Sequence, residues 1–154
     1  MSLFSAHQYL FEKISSEINV RLRNAGLKEV YKFYDEPQPI SYARQALKPT
    51  CVIYWVSAPV TKNDFQIIEC SSTFKIYFEY PIDMTKESPT FSYITKYIDV
   101  FYHLLVEIQH PLNDTRVFEI VDAEQIEPEL TGNIYWIGFI ITCNFKRVYG
   151  PGGE

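Results

Sequence analysis

From Asn133 to Tyr149 apolar and aromatic side chains recur at every second position. Tyr135, Ile137, Phe139, Ile141, Cys143 and Phe145 share one face, and Ile134, Trp136, Gly138, Ile140, Thr142 and Asn144 share the other. A helix repeats every ~3.6 residues, so a period of two sustained over this length is a strand. At about 3.4 Å per residue the segment would reach roughly 50 Å, well beyond the usual ~5–6 residues of a strand. Such a strand either bends, with Gly138 the natural place for a bulge, or extends past its own domain. In both cases the chain is committed to a sheet that can pair it.

Other segments supply the partners. Phe65 to Tyr80 alternates over its second half, with Phe74, Ile76, Phe78 and Tyr80 opposed to Lys75, Tyr77 and Glu79, until Pro81 stops it. Pro49 introduces Cys51-Val52-Ile53-Tyr54-Trp55-Val56, an apolar run rich in β-formers that predicts a buried strand. Val30 to Tyr34 predicts a short strand, followed by a loop over Asp35 to Pro39, where two prolines forbid regular structure. Arg116 to Val121 predicts one more short strand. Asp122 to Gly132, which carries Asp122, Glu124, Glu127 and Glu129 and one proline, predicts an acidic loop.

Two segments carry the other periodicity. His7, Leu10, Phe11, Ile14, Ile18, Leu22 and Ala25 recur at helical steps, with Ser5 and Gln8 as a capping box and Gly26 as the left-handed cap. Ser88-Pro89 opens a second helix whose apolar stripe is Ile94, Tyr97, Ile98, Phe101, Leu104, Leu105 and Ile108, ending before Pro111. The order predicts an α+β fold: a mainly antiparallel sheet with both amphipathic helices packed on one face. The 154 residues make a single domain over 1–154, with 146–154 a flexible C-terminal arm. A chain of this size buries roughly 70% of its unfolded surface and needs neither disulfide nor metal to hold its core. The 16% aromatic content suits strands.

Searches for chemistry return little. His103 and His110 stand seven apart, not at the one-turn spacing of a helical zinc pair, and His7 near a helix end suits a solvated or capping role. No serine sits in a nucleophile elbow. Cys51, Cys70 and Cys143 are odd in number and widely spaced, which predicts small buried hydrophobes rather than a disulfide framework or metal site. The acidic stretch lacks the calcium-loop pattern, and Gly150 to Glu154 lacks the following helix that a phosphate loop requires. The net charge of −5 removes the footprint of a general nucleic-acid binder, and the aromatic strands lack the interleaved basic residues of a single-strand stacking platform. The expectation is a protein that is not an enzyme and holds no metal or cofactor. The first residues lack a signal peptide and no run reaches the ~18 apolar residues of a membrane span, so synthesis in the cytoplasm is expected.

The layout resembles the tail terminator, or neck terminator, proteins of tailed bacteriophages. The match is carried by the helix at Ser5 to Ala25, the segment Tyr34-Asp35-Glu36-Pro37-Gln38-Pro39-Ile40-Ser41-Tyr42, the strand Phe74 to Tyr80 ahead of the second helix, and the closing strand Tyr135 to Tyr149. The resemblance implies a virion structural protein that forms a ring, a hexamer in that family, at the head-proximal end of the tail tube. It would stop tube polymerisation and join the tail to the head. The implied partners are further copies of the chain, the tail tube protein and the head-tail connector protein, with DNA passing through the lumen without specific binding. An acidic wall suits that passage, since it repels the phosphate backbone. Contacts with neighbouring subunits are expected at Asp122, Glu124, Glu127 and Glu129 and at Lys146, Arg147 and Tyr149. Two alternatives stand beside this expectation. One is a small ligand-binding or enzymatic domain whose pocket is lined by Tyr77, Tyr97, Tyr102 and Trp136; the other is a sheath- or baseplate-associated subunit of a contractile injection machine.

Overall fold

The computed structural model describes residues 3–38, 48–57, 60–63, 67–82, 91–109 and 118–148. In chain order the elements are α1 (Leu3–Asn24), β1 (Lys32–Tyr34), β2 (Thr50–Ser57), β3 (Val60–Asn63), β4 (Ile67–Pro81), α2 (Phe91–Gln109), β5 (Phe118–Thr131) and β6 (Ile134–Val148). The strands form one six-stranded sheet in the order β1-β2-β4-β6-β5, with β3 pairing to β4 beyond the end of β2. Every pairing is antiparallel except β1 with β2. This is the expected α+β fold.

The helical stripes do the packing that their spacing predicts. Ala6, Leu10, Ile14, Ile18 and Leu22 of α1 and Ile94, Tyr97, Phe101, Leu104 and Leu105 of α2 are buried in one core with Cys51 and Ile53 of β2, Phe74, Ile76 and Phe78 of β4, and Ile137, Phe139 and Ile141 of β6. Both helices therefore cover the same face of the sheet. Between the helices, the Arg21 guanidinium donates to both carboxylate oxygens of Glu107, Nη1 to Oε1 at 3.0 Å. The first residues of the second predicted helix, Ser88-Pro89, and its predicted end at His110 and Pro111, lie outside the described residues, as does the side chain of Ser5.

α1 ends where Gly26 predicts. Gly26 has φ of 73°. Its N–H donates to the Arg23 carbonyl at 3.0 Å, and the Leu27 N–H donates to the Leu22 carbonyl at 2.9 Å. These are the paired bonds of a Schellman cap, and Leu27 closes it by burial in the core with Leu22. A Cβ on Gly26 would meet no atom within 4 Å, so a substitution strains only the backbone. Gly26→Ala is expected to lower stability by about 1–2 kcal/mol, read from the urea unfolding midpoint.

Three expectations need correction. Gly138 is not a bulge: β6 pairs with β4 in continuous register from Pro81↔Ile134 through Tyr77↔Gly138 to Ile67↔Val148. Asp122 to Gly132 is not a loop, because β5 runs to Thr131 and only Gly132-Asn133 turns the chain into β6. The irregularities lie on β5, where register shifts fall between Ile120 and Asp122 and between Ile126 and Glu129. His7 is not solvated: its Nε2 bonds the Ile53 carbonyl at 2.9 Å and its ring stacks on Phe74 with centroids 5.9 Å apart, fastening the start of α1 to β2 and β4.

The hairpin is long for the layer that covers it. β6 has 15 residues and α1 has 22. At ~3.4 Å per strand residue against ~1.5 Å per helix residue, the strand outruns the helix by roughly 18 Å.

Candidate functional site

The two bulges decide which way β5 presents its side chains. Ile120 opposes Cys143 and Asp122 opposes Thr142, so residues two apart on β5 meet neighbours on β6 that face opposite ways. Val121 is the extra residue. Ile120 thereby stays buried under the helices, while Asp122, and Glu124 opposite Ile140, take the face that the helices leave uncovered. The second bulge holds Glu127 and Pro128. It sets Glu129 opposite Trp136 on the same face as Ile126 opposite Gly138, although those β5 residues are three apart. Asp122, Glu124 and Glu129 thus share one sheet face, and all four acidic residues of the stretch are exposed. β5 is also the last strand in the sheet order, so its outer edge has no partner among the described residues.

A pocket of about 320 Å³ opens on this face. Gly138 of β6 lies under it, and the missing side chain leaves a hollow where Ile126 closes over the backbone: an added Cβ would stand 3.0 Å from Ile126 Cδ1. Aromatic rings from three adjacent strands form its far side. Tyr77 of β4 packs edge-on against Tyr54 of β2, centroids 6.1 Å apart, and tilts against Trp136 of β6 at 5.4 Å. Glu127 and Glu129 of β5 line the near side, and Lys75 of β4 lies at the end beside Tyr54. Burial, and then the charge of Glu79, push the Tyr77 hydroxyl up to about 12, so it remains a hydrogen-bond donor at neutral pH.

Of the four pocket residues expected from sequence, the structure brings together Tyr77 and Trp136. Tyr97 and Tyr102 belong to the opposite face. Tyr97 is buried against Phe78 and donates to the Lys28 carbonyl at 2.9 Å, and Tyr102 packs on Phe139 at 5.5 Å. Tyr54, Lys75 and Ile126 were not anticipated: the alternation of β4 sets Lys75 and Tyr77 opposite the core face, but only the pairing register brings Tyr54 of β2 and Ile126 of β5 to the same side. Lys146 and Arg147 lie in β6 opposite Glu69 and Ile68, far along the strand from the pocket, and Tyr149 lies outside the described residues.

The thiols and the other tyrosines with raised values are buried away from the pocket. Cys51 and Cys143 are free and buried, and burial raises both thiols, Cys143 to about 12. Burial likewise raises Tyr80 and Tyr97. With Tyr77, these tyrosines hold their protons more tightly folded than unfolded. For Tyr77 that stabilisation is therefore complete below the ordinary tyrosine value of 10.0 and is lost as pH rises through about 12. The melting temperature is expected to fall across that window, less steeply in Tyr77→Phe; a flat profile would refute it. Among the described residues, no three His, Cys, Asp or Glu side chains converge to hold a metal ion. No described helix is long and apolar enough to cross a membrane. Comparison with known proteins finds no family model that matches the chain and no curated protein of matching sequence.

Proposed function

We propose that the chain is a structural subunit that closes into a ring, in the manner of phage tail terminators, at the head-proximal end of a tail tube. The observation that carries this is the asymmetry of the sheet's two edges. One edge is β5, 14 residues long, with an acidic face and the exposed apolar side chains Val121 and Leu130; the other is β1, three residues long and parallel to its neighbour. Two unlike edges suit head-to-tail contacts between copies, which close into a ring when the rotation per subunit allows it. Asp122, Glu124 and Glu129 on one face supply a negative wall past which DNA slides without binding. On this reading the chain caps the tube, stops addition of tube protein, and presents its other surface to the head connector without making or breaking a bond.

The test mixes the purified chain with polymerising tail tube protein from the same source. Rings at tube ends in electron micrographs, a ring mass in native mass spectrometry and arrested tube growth are expected. Failure to co-sediment with tubes overturns the proposal, and decoration along the tube wall replaces it with a sheath-type role.

A further inference from the structure

The pocket over Gly138 combines features that converge on one ligand chemistry, whether or not the chain forms a ring. We propose that it binds a guanidinium group, carried by a free small molecule or by an arginine side chain of another protein. Its aromatic side offers Trp136 and Tyr77, whose rings attract a cation and stack with a planar one. Glu127 of the bulge and Glu129 just after it also line the pocket, and among the described residues neither carboxylate is in an ion pair. Two carboxylates beside a ring match the donor fork of a guanidinium better than the point charge of an ammonium. Glu124 and Asp122 on the same face add negative potential at the approach.

About 320 Å³ lies at the small end of ligand pockets, which run from roughly 300 to 1,000 Å³, and holds an arginine-sized group. Charge disfavours a nucleotide, since the carboxylates would repel its phosphates. Lys75 stands at the end of the pocket away from Glu129. Its rung is that of Ile140 and the rung of Glu129 is that of Trp136, four residues apart on β6, or about 14 Å. Lys75 is placed to meet a carbonyl or carboxylate at the other end of the same ligand.

The experiment uses the full chain carrying Trp55→Phe, which leaves Trp136 as the only tryptophan. Calorimetry reads binding and Trp136 fluorescence locates it, with three probes: Nα-acetylarginine, which carries a guanidinium at one end and a carboxylate at the other, an end-capped peptide with one arginine, and the same peptide with neutral citrulline. Both guanidinium probes are expected to bind and to change Trp136 emission, with citrulline at least about tenfold weaker. Glu127→Gln with Glu129→Gln is expected to lose about tenfold or more, with an unchanged circular dichroism spectrum, and added salt to weaken binding. Tighter binding of the peptide than of Nα-acetylarginine identifies a protein arginine as the source, and the reverse order a free ligand. The proposal is overturned if neither guanidinium binds, if citrulline binds as well, if Trp136 does not respond, or if the paired glutamine variant binds equally.

Discussion

Phe139→Ala is expected to cost about 3–5 kcal/mol, against a total of roughly 5–15 kcal/mol for a domain of ordinary stability. Phe139 is fully buried on the strand that joins both halves of the sheet, between β4 and β5. Its ring lies 4.3 Å from that of Phe101, 5.5 Å from Tyr102 and 6.4 Å from Phe78, so truncation opens a cavity where β4, β6 and α2 meet. Such a site relaxes poorly, because its neighbours are held by two strands and a helix that cannot all move inward together. Leu130→Ala, at a side chain 51% exposed, is the contrasting control and is expected to stay within about 0.5 kcal/mol of the parent. Urea unfolding with an unchanged slope is the measurement. If the alanine variant does not fold, Phe139→Leu keeps the comparison open, with an expected loss of about 1.5 kcal/mol. Equal midpoints for the Phe139 and Leu130 variants would show that the aromatic cluster is not the centre of stability.

The elements that sequence periodicity reveals are those buried on a face without interruption. α1 and α2 write their core contacts at helical spacing, and β4 and β6 at every second residue, because each meets the core along a straight line. β5 does not. Reading from Ile120 to Leu130, the helix-side register positions are Ile120, Ala123, Gln125 and Leu130, and the uncovered side takes Asp122, Glu124, Ile126 and Glu129. Two extra residues break the alternation within this span, and an edge strand gains little from apolar residues at every inward position. The composition that results reads as an acidic loop. Gly138 stands out as a special position but its surroundings do not: a Cβ there would stand 3.0 Å from Ile126 Cδ1, a contact that depends on a register no single strand encodes. The same limit applies to the pocket, whose residues come from four strands, and to His7, whose hydrogen-bond partner Ile53 is 46 positions away.

If Val121 is the surplus residue of a bulge, removing it must do less harm than removing a residue that pairs. Val121 is 47% exposed, so Val121→Ser is expected to alter stability by no more than about 0.5 kcal/mol. Deletion of Val121 makes Ile120 and Asp122 neighbours opposite Cys143 and Thr142, which are neighbours on β6, so regular alternation keeps Ile120 in the core and Asp122 on the uncovered face. The expected loss is within about 1 kcal/mol, the cost of straightening the strand there. Deletion of Ala123, which pairs with Ile141, has no such escape. Absorbing the gap at the first bulge sets Asp122 opposite Ile141, and absorbing it at the second sets Glu124 there, so either way a carboxylate turns toward the helices. An unpaired carboxylate on the core side is costly, and the Ala123 deletion is expected to lower stability by about 2–3 kcal/mol, read from the urea unfolding midpoint. A Val121 deletion as harmful as the Ala123 deletion would mean that β5 is not held in this register, and the acidic face and the pocket built on it would lose their basis.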